Sequence, residues 1–348
     1  MTELMKDILN EPGELKKSLA YTLGTGKSAL DKAVAIIREA RNLYVAGIGS
    51  SWHAGMAVTG ILHAGGCPAF LFDASEFLHF VPIVSESALI ILSRSGKSAE
   101  VVGLVTKARQ RGAKIIAITN TPDSPLGQGA DVILKLEAAF DHLVSITMYS
   151  ALTLVGGMLA DAAVGSLDES LGHVLATSLS EAERVLEHWC GQIETSGWFV
   201  SDAPTYFLAR GGSLASCHEA KLLWEEVAKA PACSMTTGGF RHGAQESVRE
   251  GMRYVLWVDG ELMRDQDLKL AREIRDAGGR VIVIGQDVPP QTGNLVFRLP
   301  SVPNKWQFLI DVFPAQLSAE HLSRLRGVNC DSFRLCPYII ESEEGLCS

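Results

Sequence analysis

The order of strands and helices repeats itself after roughly 165 residues, and this internal repeat restricts the possible folds more than any other feature of the sequence. Each copy contains short, apolar, β-branched runs separated by stretches with helical spacing. The runs lie at residues 42–47, 88–92 and 114–119 in the first copy and at 206–209, 254–258 and 280–285 in the second. Buried strands alternating with helices are typical of a doubly wound parallel sheet, so the repeat predicts two similar flavodoxin-like α/β domains.

We place the domain boundary in a polar helical stretch at residues 167–193. Residues 1–190 then comprise an N-terminal helix and the first domain, and residues 191–348 comprise the second domain and a C-terminal tail. The tail is expected to fold over a neighbouring domain. Residues 143–163 approach the ~20 apolar residues of a membrane span, but their Ser, Thr and Asp side chains predict a buried core helix instead.

Composition narrows the classes of partner. With 31 Lys and Arg against 40 Asp and Glu, the chain carries a net charge of −9 and lacks the basic field that binds nucleic acid. Its 7 cysteines are scattered without a C-x-x-C pair, which indicates neither disulfides nor a metal site. The acidic N-terminus does not resemble a signal peptide. We therefore expect a cytoplasmic protein with no nucleic-acid or membrane partner.

Two nucleotide-binding motifs are incomplete. The G-K-S tripeptides that end at Ser28 and Ser98 have Tyr21 and Ile91 where a Walker loop needs its first glycine. The Gly47-Ile48-Gly49 run has Trp52 at the last glycine position of a dinucleotide fingerprint, where a bulky ring would block the pyrophosphate. The sequence therefore predicts no nucleotide cofactor.

Hydroxyl-rich loops follow the first two predicted strands of the first copy. Ser50 and Ser51 open one helix, and residues 93–98, which contain Ser93, Arg94, Ser95 and Ser98, precede the next. Backbone N–H groups at a helix start, together with clustered hydroxyls, form a site for one phosphate. A serine here could instead be an ordinary N-cap, but three serines with Lys97 exceed what one cap needs.

The second copy contains candidates for acid–base chemistry. Glu219, Glu225 and Glu226 fall on one predicted helix, where a solvated charged face is the common explanation. His242 lies in a glycine-rich loop, residues 236–243, which is expected to be mobile. Core packing does not explain a histidine in such a loop. An imidazole that titrates near neutral pH can exchange protons with a substrate.

These loops resemble those of the sugar isomerase (SIS) family, in particular the isomerase unit of glucosamine 6-phosphate synthase and the related deaminases and deglycases. The likeness extends over nearly the whole chain and includes the A-S-E-F run at residues 74–77. It implies that Ser50, Ser51, Ser93, Ser95 and Ser98, with Arg94 in the same loop, bind the phosphate and that Ser145 contacts sugar hydroxyls. It also implies that Glu226 is the base at C2 and that His242 opens the sugar ring.

Two departures from the synthase pattern concern the reaction. No cysteine precedes Cys67, so a glutaminase domain is not expected, and Tyr338 aligns with the tail lysine that would capture a ketose. The resemblance then implies a glucosamine-6-phosphate-type isomerase/deaminase that needs no cofactor. A fructosamine-6-phosphate deglycase and a non-catalytic sugar-phosphate sensor are the alternatives. The resemblance further implies a homodimer in which His242 completes the partner's active site.

Overall fold

A computed structural model describes residues 1–346 and contains two five-stranded sheets whose strands are all parallel. The strands of the first sheet are β1 (Asn42–Gly47), β2 (Phe70–Asp73), β3 (Ser87–Leu92), β4 (Lys114–Thr119) and β5 (Val132–Lys135). The strands of the second are β6 (Thr205–Ala209), β7 (Ala232–Thr236), β8 (Arg253–Trp257), β9 (Arg280–Gly285) and β10 (Leu295–Arg298).

Helices precede, connect and follow these strands. They are α1 (Glu3–Leu23), α2 (Lys27–Glu39), α3 (Ser50–Ala64), α4 (Ala74–His79), α5 (Ala99–Gln110), α6 (Pro125–Gly129), α7 (Thr147–Ala163), α8 (Glu169–Thr195), α9 (Leu214–Glu226), α10 (Thr237–Arg241), α11 (Arg264–Asp276) and α12 (Phe313–Arg326). Short 3₁₀ turns cover Gly211–Ser213, Ala244–Ser247, Pro290–Thr292 and Asn304–Leu309.

The two sheets have the same topology. Their strand orders are β2-β1-β3-β4-β5 and β7-β6-β8-β9-β10, and each is the flavodoxin-like order 2-1-3-4-5. The central strands β3 and β8 are buried along their whole length, as expected when helices cover both faces of a parallel sheet. The predicted α/β fold and the internal repeat are therefore confirmed.

The chain divides into two compact units, each with its own sheet. The first unit comprises residues 13–176 and the tail from residue 333, and the second comprises residues 1–12 and 177–332. The divisions at residues 12/13 and 176/177 fall inside helices α1 and α8. The expected boundary at residue 190 also lies within α8.

Helix α7 is the core helix of the first unit. It begins at Thr147, four residues later than the apolar run suggested, and its residues are buried from Thr147 through Asp161. Gly156 allows it to approach α3 closely, because an added Cβ would lie 2.4 Å from Val58 Cγ2. Within residues 1–346, no helix has the combined length and apolar character that a membrane span requires.

One local expectation was wrong. Residues 237–241, expected to belong to a mobile glycine-rich loop, form the short helix α10. The Thr236 side chain caps this helix by accepting the Gly239 N–H at 2.9 Å. Phe240 is buried against the rings of Tyr206 and Tyr254, which anchors the segment to the second sheet.

Candidate functional site

The hydroxyl-rich loops of the first unit lie at the carboxyl ends of two neighbouring strands. Ser50 and Ser51 are the first residues of α3, directly after β1, and Ser93 follows β3. Because β1 and β3 are adjacent and parallel, both loops emerge at the same edge of the sheet. The chain reverses its direction of winding between these strands, and such switch points are where open α/β sheets bind ligands.

Residues 93–98 form a turn between β3 and α5, which we call the cradle. The Ser93 hydroxyl accepts the Gly96 N–H at 3.0 Å, and the Ser95 hydroxyl accepts the Lys97 N–H at 3.3 Å. A hydroxyl that accepts one hydrogen bond can still donate its own proton. The backbone N–H groups of Ser95 and Ser98 have no acceptor within the part of the chain that the structure describes. The cradle therefore offers several donors to one anion.

The N-cap alternative for these serines is not what the geometry shows. Ser98 occupies the N-cap position of α5, yet its side chain makes no capping hydrogen bond, and α3 begins after Gly49 without a side-chain cap. Gly96 has a φ of +62°, and an added Cβ would lie 2.1 Å from Ser124 Oγ, so the turn requires glycine. Two helix starts thus face this edge without side-chain caps.

Ser145 lies in the turn before α7 and is almost fully buried, at 9% exposure. The buried Asp141 carboxylate fixes this turn by accepting the backbone N–H groups of Ile146, Thr147 and Met148 at 3.1, 2.7 and 3.0 Å. Sequence reasoning missed Asp141, although an acidic residue just before an apolar helix is a recognisable capping signal.

Arg94 connects three segments of the first unit. Its guanidinium donates to the Leu143 carbonyl at 3.2 Å and to the Tyr338 carbonyl at 3.1 Å. The guanidinium carbon also lies 4.3 Å from the centroid of the Tyr338 ring. The turn that contains Ser145 and the C-terminal tail are therefore both brought to the cradle.

The tail continues across the start of α5. The Ile340 carbonyl accepts the N–H of Ala99 at 3.1 Å, and Glu343 contacts the His79 imidazole at 2.8 Å. Burial raises the pKa of the Glu100 carboxyl, and the carboxylates of Glu343 and Asp73 act in the same direction. Tail residues 338–343 thus cover the first turn of α5.

Glu226 and His242, the predicted acid–base pair, both belong to the second unit. Glu226 is the last residue of α9 and precedes the amino end of β7, whereas His242 follows α10, beyond the carboxyl end of β7. Five strand residues span about 16 Å. Within one chain Glu226 therefore lies on the amino-terminal side of β7 and His242 on its carboxyl-terminal side. Glu226 is half-buried and His242 is exposed.

Lys229 holds the end of α9 in place. Its amino group donates to the backbone carbonyls of Glu226 and of Ser332, the latter at 2.9 Å. Lys229 also has a φ of +53°, a conformation that costs a residue with a Cβ some free energy. Nothing in the sequence indicated this role, because the contact with Ser332 joins positions 103 residues apart.

In the second unit, two buried carboxyl groups lie at the carboxyl ends of the strands, where the first unit has the cradle. Asp267, fully buried, accepts from Arg210 Nε at 2.6 Å and from the Asp259 N–H at 3.2 Å, just after β8. Asp311 accepts from the hydroxyls of Ser213 and Ser216 at the start of α9. Within residues 1–346 no cluster of three His, Cys, Asp or Glu side chains could hold a metal ion, and the six described cysteines are free thiols.

Known proteins share parts of this sequence and its fold. Residues 36–162 match the SIS domain model. The glutamine–fructose-6-phosphate aminotransferase (isomerizing) of Shouchella clausii is 26% identical over 349 residues, which are 95% of this chain and 57% of that protein. The chain therefore spans less than three-fifths of this curated relative.

Solved structures extend the likeness to both units. The C-terminal domain of glucosamine-fructose-6-phosphate aminotransferase from Francisella tularensis superposes with a TM-score of 0.84 at 19% identity, over 95% of this chain and 98% of that one. Glucosamine-6-phosphate deaminase from Thermotoga maritima gives a TM-score of 0.80 at 19% identity, over 97% and 99%. At these identities the likeness concerns the fold.

Proposed function

We propose that this chain, whose residues 36–162 match the SIS domain model, is a phosphosugar isomerase that acts on an amino-sugar 6-phosphate and releases a ketose 6-phosphate and ammonia. The observation that carries the proposal is the cradle. Its serine hydroxyls and the N–H groups of Ser95 and Ser98 lie in one short loop at a switch point, which suits a single phosphate group.

Sugar recognition follows from the neighbouring turn. Ser145, held in position by the Asp141 cap, offers a hydroxyl to the sugar, and Ser50 and Ser51 offer two more from the loop after β1. Hydroxyl groups can both donate to and accept from sugar hydroxyls. Names of relatives also support this substrate class, since they refer to fructose 6-phosphate and glucosamine 6-phosphate.

The proposed chemistry is a proton transfer followed by hydrolysis. His242 exchanges the proton that accompanies opening of the sugar ring, and Glu226 then removes the proton from C2 of the open aldose. The electron pair of the broken C–H bond forms a double bond between C1 and C2, the electron pair of the C1=O double bond moves to the oxygen, which takes up a proton, and an enolamine results. Return of a proton to C1 gives a ketimine at C2, and water replaces its nitrogen to give the ketose phosphate and ammonia.

A substrate panel tests the proposal. Purified protein is incubated with amino-sugar phosphates, fructosamine phosphates and simple aldose and ketose phosphates, and the release of ammonia, amino acid and ketose phosphate is measured. Ammonia with ketose phosphate supports the deaminase. Release of an amino acid from a fructosamine phosphate would show that the protein is a deglycase and not a deaminase. Binding of a sugar phosphate without any turnover would show that it is a non-catalytic sensor.

A pair of neighbouring variants identifies the base. We expect Glu226→Gln to bind the substrate phosphate but to abolish exchange of the C2 proton with deuterated solvent, because the amide keeps the shape and loses the base. Glu225→Gln is the matched control, since Glu225 lies on the same helix and pairs with Lys221 at 2.6 Å. Exchange that persists in Glu226→Gln at the normal rate would assign the base to another residue.

A further inference from the structure

We infer that Arg94 is a clasp for the C-terminal tail and not a ligand of the bound phosphate. The assignment of the cradle rests on the proposed function, whereas the clasp itself rests on contacts within the first unit. Arg94 lies between Ser93 and Ser95, so its place in the sequence alone suggests a phosphate contact. The structure gives its side chain a different set of partners.

Both terminal nitrogens of Arg94 are engaged with backbone carbonyls. Nη1 donates to Leu143 and Nη2 donates to Tyr338, at 3.2 and 3.1 Å, while the guanidinium plane covers the Tyr338 ring at 4.3 Å. A planar guanidinium bound at two nitrogens and stacked on an aromatic ring has a fixed orientation, which lysine cannot reproduce. Arg94 therefore binds the turn before α7 and the tail together.

The cradle has donors that do not involve this guanidinium. Ser93, Ser95 and Ser98 supply hydroxyls, and Lys97, exposed in the same loop, supplies a positive charge that makes no ion pair within the described residues. An anion can thus be held while Arg94 keeps its contacts. The clasp determines instead whether Tyr338 and the residues after it stay on the rim of the cradle.

Two further contacts attach the tail to the first unit beyond Tyr338. The Ile340 carbonyl accepts the first N–H of α5, from Ala99, and Glu343 pairs with His79. The Glu343–His79 pair is partly exposed and contributes little on its own. Arg94 is therefore the principal side-chain anchor of the tail among the described residues, and it acts as a positioning residue that keeps the tail beside the cradle.

Carboxypeptidase digestion of the full chain tests the clasp without any substrate. We expect Arg94→Gln and Tyr338→Ala each to speed removal of the tail residues by about fivefold, the effect of losing one stacked cation–aromatic contact. The double variant should be no faster than Arg94→Gln alone, because that change already removes both the stacking on the Tyr338 ring and the hydrogen bond to its carbonyl. Tyr338→Phe keeps the ring and the carbonyl and should match the wild type, whereas Arg94→Lys should behave like Arg94→Gln.

Calorimetry with inorganic phosphate separates the two roles of Arg94. The clasp predicts that Arg94→Gln and Tyr338→Ala bind phosphate as the wild type does, whereas Ser95→Ala binds it more weakly. Loss of phosphate affinity in Arg94→Gln with an unchanged digestion rate would overturn the clasp. If Ser95→Ala also bound phosphate normally while digestion was accelerated in the clasp variants, the clasp would stand and the proposed phosphate site would fail.

Discussion

In the proposed phosphate site, the Ser95 hydroxyl has two roles, one in the loop and one toward the ligand. It accepts the Lys97 N–H at 3.3 Å, which stabilises the turn, and keeps a proton to donate to phosphate. We expect Ser95→Ala to weaken binding of inorganic phosphate and of glucosamine 6-phosphate by ~1.5 to 3 kcal/mol, the contribution of a hydrogen bond to a charged group. Isothermal calorimetry measures both affinities directly.

The control for this change is Ser85→Ala, which removes an exposed hydroxyl from the loop before β3. It should leave both affinities unchanged. Unphosphorylated glucosamine should bind poorly to the wild type. Equal affinity for glucosamine and its 6-phosphate would show that the cradle does not select a phosphate.

Sequence reasoning identified the serines of the cradle because their residue type and position, after a buried strand and before a helix, are local properties. It could not identify Asp141 as the group that fixes the Ser145 turn, or show that the Arg94 side chain contacts Leu143 and Tyr338. The partners of Arg94 lie 49 and 244 positions away along the chain. Such contacts depend on how the segments pack and leave no short-range pattern.

At the scale of elements, the start of α7 depends on one carboxylate. Asp141 accepts three backbone N–H groups in a buried position. We expect Asp141→Ala to lower the free energy of unfolding by about 2 to 4 kcal/mol, because a helix cap and charged hydrogen bonds are lost together. Urea denaturation measures this loss, and binding of the amino-sugar phosphate should also weaken because Ser145 loses its fixed position.

Asp168→Ala provides the comparison for that element. Within residues 1–346 the Asp168 carboxylate accepts one hydrogen bond, from the Leu171 N–H at 2.7 Å, at the exposed start of α8. Its removal should lower stability by about 0.5 to 1 kcal/mol. A similar loss in the two variants would mean that burial and the additional hydrogen bonds of Asp141 add nothing.

The sequence predicted the central strands of both sheets but not the edge strands β2, β5, β7 and β10. Central strands such as β3 are continuous apolar runs, which are distinctive. Edge strands have four or five residues and are partly exposed, as in Phe70–Asp73 and Ala232–Thr236, so no periodic signal marks them. Their pairing comes from the sheet, since a parallel neighbour supplies the hydrogen-bond partners that the short segment lacks.

At the scale of the whole molecule, the buried carboxyl of Asp311 makes stability depend on pH. Burial raises its pKa to about 7, although hydrogen bonds from Ser213, Ser216 and Gln307 oppose the shift. Between about pH 4 and 7 the folded state holds a proton that the unfolded chain has released, so the free energy of unfolding falls as pH rises through this range.

The Asp311→Asn variant tests this dependence because it cannot lose that proton. Its stability relative to the wild type should increase from pH 4 to pH 7 and then remain constant. Urea denaturation of both proteins across this range gives the difference at each pH. A difference that stayed the same from pH 4 to pH 8 would show that Asp311 is ionised throughout, and the hydroxyls around it would then suffice to stabilise its charge.

The separation of Glu226 and His242 bears on assembly. Within one chain Glu226 precedes β7 and His242 follows it, so they lie on the two sides of a strand about 16 Å long, whereas a base and an acid that act on one sugar must both reach it. We propose a homodimer in which the partner's His242 joins Glu226, since an isologous two-fold interface would create two such sites at once.

Mixing inactive Glu226→Gln and His242→Ala proteins under subunit exchange should then restore part of the activity, because each heterodimer regains one intact site. The control is either variant exchanged with itself, which should stay inactive. A heterodimer confirmed by mass spectrometry but without activity would instead require both groups to act from a single chain.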